Sequence, residues 1–276
     1  MKKKLFAALA LLTAMTLCAC GILPPARETL TETLETETET LAETRTETLT
    51  ETAQAETEEP IVQTTEEEKP FLSDVSPELM TEYFEEVVLQ TEYSEGDGNP
   101  SLVQKWEMPI HYRIHGEPSE EDLEILEALF AELNAIRGFP GIGPAAEEEV
   151  ENLSIYFAEP KEFNEIFSDF LQGEDAVGAA RYWYYTDSND MYEAKVGYRM
   201  DMDQSIRKSV LPEEIVNVLG VTDTVKREDS VVYQYSNFNT ELTDVDWMIL
   251  KLLYHPDMPC GADKETCRRV LAELYG

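Results

Sequence analysis

Histidine is nearly missing from this chain. Of 276 residues only His111, His115 and His255 carry an imidazole, so a zinc cage built on nitrogen donors has three side chains at most to draw on. Basic residues are scarce as well: 21 Lys and Arg stand against 57 Asp and Glu, a net charge of −36. That sign disfavours nucleic acid and anionic lipid as partners. It leaves divalent cations, basic partners or plain solvation as uses for so acidic a surface. The one strongly apolar run, Leu5 to Leu17, is too short to span a bilayer stably.

What the N-terminus does contain reads as an export signal, residues 1–19. Lys2, Lys3 and Lys4 make a positive n-region ahead of the apolar run. It closes on Leu17-Cys18-Ala19-Cys20-Gly21, which resembles the lipobox of bacterial lipoproteins, where a small residue precedes the cysteine that receives the lipid. Cys20 follows the small Ala19, whereas Cys18 follows the bulky Leu17, so Cys20 is the expected lipidation site. The alternative is an ordinary secretory signal cleaved nearby. Several acyl chains buried at about 0.8 kcal/mol per CH₂ hold a protein at a bilayer far better than one does. The expected location is the cell membrane, on its extracytoplasmic side.

Residues 20–69 are expected to form a lipidated N-terminus and a disordered acidic tether. Between Arg27 and Lys69 there are 14 Glu and 14 Thr, and the net charge is −11. Such a segment buries too little apolar surface to offset its ordering entropy. Its 43 residues would span roughly 35–40 Å as a flexible coil. Residues 70–276 are long enough for one domain with a real core. They carry a net charge of −28, so the acidity does not belong to the tether alone.

Within that domain, Ser76-Pro77-Glu78 starts a helix running to about Thr91, and a loop with Gly96, Gly98 and Pro100 follows. Trp106 to His115 alternates as a strand. Pro118 and Ser119 open an amphipathic helix that ends near Gly138, and Pro140, Gly141, Gly143 and Pro144 make an irregular turn. Leu153–Phe157 reads as a short strand and Pro160–Leu171 as a helix with Phe163, Ile166, Phe167 and Phe170 inward. Ala179–Tyr185 and Met191–Met200 form a hairpin across a polar turn. Thr243 and Asp246 cap a helix over Val245–Tyr254, and Asp263–Leu274 forms the last. Helices alternating irregularly with strands and a hairpin predict an α+β domain.

The most informative stretch is Glu213-Glu214-Ile215-Val216-Asn217-Val218-Leu219-Gly220. Laid over the zinc-protease helix signature H-E-x-x-H-x-x-G, it keeps the general-base glutamate as Glu214 and the closing glycine as Gly220. Both histidine positions have changed, to Glu213 and Asn217. Two imidazoles one turn apart are what grip zinc there, so no zinc site is expected, and the catalytic candidates are vestigial: Glu213, Glu214 and Asn217. Two adjacent oxygens offer a hard cation only a weak hold. Leu211, Ile215, Val218 and Leu219 form the apolar stripe, and Pro212 is expected at the first turn or at a kink.

Other candidates are weaker. His111 and His115 share one strand face and could make half of a metal site, or simply a polar face. Asp187, Asn189 and Asp190 lack the spacing, glycine and distal glutamate of a calcium loop and read as turn residues. Half of the run Tyr182-Trp183-Tyr184-Tyr185 is expected inside, the rest packing at the surface or meeting a sugar or partner. Outside the cytoplasm a disulfide persists, so Cys260 and Cys267 are expected to pair, with two free thiols as the alternative.

Several stretches together resemble a family of secreted bacterial lipoproteins of unknown function with a zincin-like, metallopeptidase-related domain. They are Trp106 to Gly116, Leu133-Asn134-Ala135-Ile136, Glu213-Glu214 with Leu219-Gly220, Thr243, Asp246, Leu250, Leu253 and Tyr254, then Pro259 and Gly261. The resemblance runs from about Lys105 to the C-terminus. It implies a zincin-like fold here with a degenerate zinc motif and no cofactor. With both histidines replaced, the function expected on that scaffold is a binding or structural module at the cell envelope, facing a peptide, an envelope polymer or a protein partner. The competing class is an enzyme, a metal-dependent peptidase or another hydrolase using Glu214.

Overall fold

Ser76 sets the first helix, accepting from the Leu79 amide at 3.2 Å through its hydroxyl and from the Met80 amide at 3.0 Å through its carbonyl. In this computed structural model, residues 75–89, 101–169, 176–235 and 238–275 are described. The expectations for the signal, Cys20 and the tether therefore lie outside the described residues, as do Thr91 and the Gly96–Pro100 loop. Helix α1 spans Pro77–Leu89 and buries Met80, Tyr83, Phe84, Val87 and Val88. Its neighbouring acids Glu85 and Glu86 are buried too, and each is paired. Glu85 meets Arg268 and, at 2.9 Å, Lys264. Glu86 meets Lys226 at 2.9 Å and the Thr224 hydroxyl at 2.9 Å.

The single strand expected over Trp106–His115 is two strands. β1 is Lys105–Trp106 and β2 is Ile110–Gly116. The break falls at Met108-Pro109, where proline has no N–H for a ladder, and Met108 turns to solvent. Helix α2, Glu120–Asn134, opens with the reciprocal capping box of Ser119 and Asp122. After it, Ile142–Pro144 forms β3, which the glycines and prolines around it hide in the sequence. Asn134 pins it through both ends of its amide: Ile142 N donates to Oδ1 at 2.8 Å, and Nδ2 donates to Ile142 O at 2.9 Å.

β4 is Leu153–Ala158, α3 Pro160–Ile166, β5 Gly178–Tyr184 and β6 Asp190–Arg199. α3 stops well short of Leu171, with Phe167 as its C-cap; Phe170 and Leu171 lie outside the described residues. The hairpin of β5 and β6 forms as expected, and Asn189 takes the left-handed conformation in its turn (φ 65°). β2 sits between β3 and β4, and β4 between β2 and β6, all parallel; β1 extends the pairing of β6 in parallel, and β5 pairs β6 antiparallel. The fold is thus a single mixed α/β domain on a mostly parallel sheet, a description that fits α+β or α/β. Three helices complete it: α4 Gln204–Asn217, α5 Asp244–Leu253 and α6 Lys264–Tyr275.

The sheet is covered differently on its two faces. Strand alternation puts Gly178, Ala180 and Tyr198 on one face, where α4 and the main core pack, and Ala179 and Gly197 on the other, beneath Phe163 and Phe167. Among the described residues no helix is long and apolar enough to cross a membrane.

Candidate functional site

Helix α4 starts earlier than its apolar residues announce, at Gln204, because its first two turns are polar and tied to α2. Gln204 Nε2 donates to Asp122 Oδ1 at 2.6 Å, and Arg207 Nε stands 3.3 Å from Asp122 Oδ2. Burial alone would raise the Asp122 carboxyl; hydrogen bonds from Gln204 and Ser119 and the Arg207 charge outweigh it and hold the group below the usual carboxylate range. Pro212 does not mark the start of α4 but lies inside it, where its ring removes the bond to the carbonyl four residues back. Close by, Tyr198 Oη donates to Leu211 O at 3.0 Å from within the core.

From Ser209 to Asn217 every residue of α4 is buried. Glu213 and Glu214 are 0 % exposed and Asn217 4 %. Glu214 lies on the bare backbone of β5: a β-carbon at Gly178 would meet Glu214 Oε1 at 2.5 Å and Val210 Cγ1 at 2.3 Å. Glu213 and Glu214 also lie within electrostatic range of Tyr198. Burial first, then these two carboxylates and Asp122, push the Tyr198 phenol well above its usual range. Asn217 Nδ2 points to Asp223 Oδ1 at 3.4 Å.

The end of α4 is equally closed. Trp106 Nε1 donates to Val218 O at 2.8 Å and Tyr254 Oη to Leu219 O at 2.9 Å, satisfying carbonyls a helix end leaves open. Gly220, expected just past the helix, follows one further turn and is left-handed (φ 103°); a β-carbon there would stand 2.2 Å from Gln104 O. Beyond it α1 closes over the chain, with Thr222 N donating to Val87 O at 2.6 Å.

Tested against zinc, the donor set does not fit. The two positions that need imidazole hold a carboxylate and an amide, both inside the core. The three histidines are elsewhere. His111 meets Glu149 and His115 meets Glu151 at 3.1 Å, both on β2, and His255 lies 3.7 Å from Asp257. Among the described residues no group of three or more His, Cys, Asp or Glu converges as a metal cage. A cavity of about 590 Å³ lies on α3 and β6, lined by Lys161, Asn164, Glu165 and Arg199, and none of the α4 candidates lines it.

The remaining expectations divide. Asp187, Asn189 and Asp190 stand in and beside the hairpin turn. In the aromatic run Tyr182 is buried and bonded to Gln104 at 2.7 Å, while Tyr185 is exposed and packs at a tilt against Tyr192. Cys260 and Cys267 both stand as free cysteines, the arrangement expected as the alternative to a Cys260–Cys267 pair. Cys260 Sγ faces the β1 region, 3.7 Å from Val103 O and 3.8 Å from Lys105 O. Cys267 packs into the core from α6, and burial pushes its thiol up to about 12. Sequence reasoning missed the Asp122–Arg207 pair and the place of Tyr198. The Ser119–Asp122 capping box was a visible signal for the first; nothing in the sequence marked the second.

No curated protein matches the chain. A protein family described as "Protein of unknown function (DUF2927)" matches residues 77–273, from the first turn of α1 to the last of α6. With well over half of its length matched, the chain belongs to the DUF2927 family.

Proposed function

We propose that this chain is an exported protein anchored by lipid on Cys20, whose folded domain is a zincin-like scaffold turned into a non-catalytic binding or structural module at the cell envelope. The observation that carries the reading is the burial of Glu213, Glu214 and Asn217. A water-activating glutamate needs a metal-bound water and a substrate within hydrogen-bond reach. Glu214 instead rests against the β5 backbone at Gly178. The helix that in a peptidase would present its polar face to a cleft here uses that face to join α4 to the sheet.

The placement of α4 on the antiparallel hairpin strand supports the scaffold half of the reading, and the Ala19-Cys20 pair supports the anchor. The partner is a peptide, an envelope polymer or a protein, and the net charge of −36 disfavours nucleic acid. A Glu214→Gln variant tests the reading. It is expected to leave the unfolding midpoint nearly unchanged and to remove no hydrolytic activity from the purified chain. A peptide-hydrolysing activity in the unaltered chain that Glu214→Gln abolishes would replace this reading with an enzyme.

A further inference from the structure

The segment between β3 and β4, residues 145–152, carries Glu147, Glu148, Glu149 and Glu151. It folds back along β2, whose side chains on that face are His111, Arg113 and His115. Its ends are held by backbone and amide bonds: Ala145 N to Tyr112 O at 2.8 Å, Asn152 N to His111 O at 3.0 Å, and His111 N to Asn152 Oδ1 at 2.7 Å. Its middle is held by charged side chains. Arg113 donates to Ala146 O at 3.0 Å and Glu149 O at 2.7 Å, and pairs with Glu151 Oε2 at 3.0 Å. His111 Nδ1 pairs with Glu149, and His115 Nε2 with Glu151 Oε1 at 3.1 Å.

We propose that this segment is a pH-responsive clasp, held to β2 when His111 and His115 are protonated and loosened when they lose their protons. The groups facing the two imidazoles are few. Glu149 and Glu151 come from the segment and Arg113 from the same strand. β3 sets Gly143 opposite His111, and β4 stacks Tyr156 on His115 with ring centres 4.7 Å apart. With both imidazoles charged, three cations face four carboxylates crowded into five residues. With both neutral, Arg113 is the one cation of the three left to oppose their mutual repulsion. Both carboxylates in the pairs stay ionised across this change. Backbone hydrogen bonds come first among the causes that hold them below their usual range, at Glu149 from the Ala146 amide, and the His111, Arg113 and His115 partners add to it. Histidine is the side chain whose ordinary titration falls between about pH 5 and pH 8, and the imidazoles are half-exposed, within reach of solvent protons.

Amide hydrogen exchange on the full chain, followed by mass spectrometry of peptides covering 145–152, tests the clasp. Protection corrected for intrinsic exchange is expected to fall roughly three- to tenfold between about pH 5 and pH 8, with no matching change in α5. The His111→Gln/His115→Gln variant should show the low value at both ends, each single variant part of the effect, and Arg113→Gln a loosened segment throughout. Protection that ignores pH, a fall that survives in the double variant, or a segment untouched by Arg113→Gln would each overturn the proposal.

Discussion

Glu214 Oε1 occupies the place where a side chain at Gly178 would begin, 2.5 Å from the position of its β-carbon. The glycine of β5 and the glutamate of α4 are therefore one packing unit. Gly178→Ala is expected to cost about 1–3 kcal/mol through overpacking against Glu214 and Val210, read as a shift in the urea midpoint. Gly220→Ala should cost at least as much, since its φ of 103° and the Gln104 carbonyl both oppose a side chain. Wild-type stability in Gly178→Ala would mean that α4 is not seated on β5 as described.

Asp122 and Arg207 join the N-terminus of α2 to the first turns of α4, both nearly closed to solvent. Removing one partner of a buried pair leaves the other charge uncompensated, so Asp122→Ala is expected to cost about 3 kcal/mol. The pH dependence has a definite sign. The folded-state carboxyl is held below its ordinary value, so its contribution is complete above the unfolded value near pH 4 and is lost as pH falls through the lower folded value. Denaturant titrations near pH 7 and near pH 3 should therefore converge more closely in Asp122→Asn than in the unaltered chain.

How much of this was legible in the residues varies with how locally each feature is determined. The helix starts at Ser76, Ser119 and Thr243 were readable because capping is settled within four residues. The hairpin was readable because its turn residues are consecutive. Parallel pairing was not, since it joins strands far apart in sequence, as Tyr112 joins Leu153 and Ile155 joins Val196. β3 escaped because a three-residue strand held by Asn134 has no periodicity of its own. At α4, the stretch 213–220 coincides with the helix only over its last turn, Glu213–Asn217, because the apolar pattern starts after the mostly polar Gln204–Ser209 turns. The burial of Glu213 and Glu214 reverses what their charge suggests, and at Glu214 the glycine opposite, Gly178, leaves the room for it.

Cys267 is buried with its thiol pushed up to about 12, so a thiol reagent at neutral pH should leave it unmodified until the fold opens. Intact mass without reductant is expected to show both Cys260 and Cys267 as thiols. A deficit of two hydrogens, with a peptide linking the pair, would show the disulfide instead.

Cys20→Ala should move the protein from the membrane fraction into the medium. Retention of that variant at the membrane would remove the lipid anchor from the proposal, whatever the role of the folded domain.

The non-catalytic reading of α4 is tested most directly by zinc content, measured on the purified full chain after equilibration with zinc and exhaustive dialysis. Substoichiometric zinc, unchanged in a Glu213→Ala/Asn217→Ala variant, is the predicted result. One tightly held zinc per chain that this variant loses would contradict it.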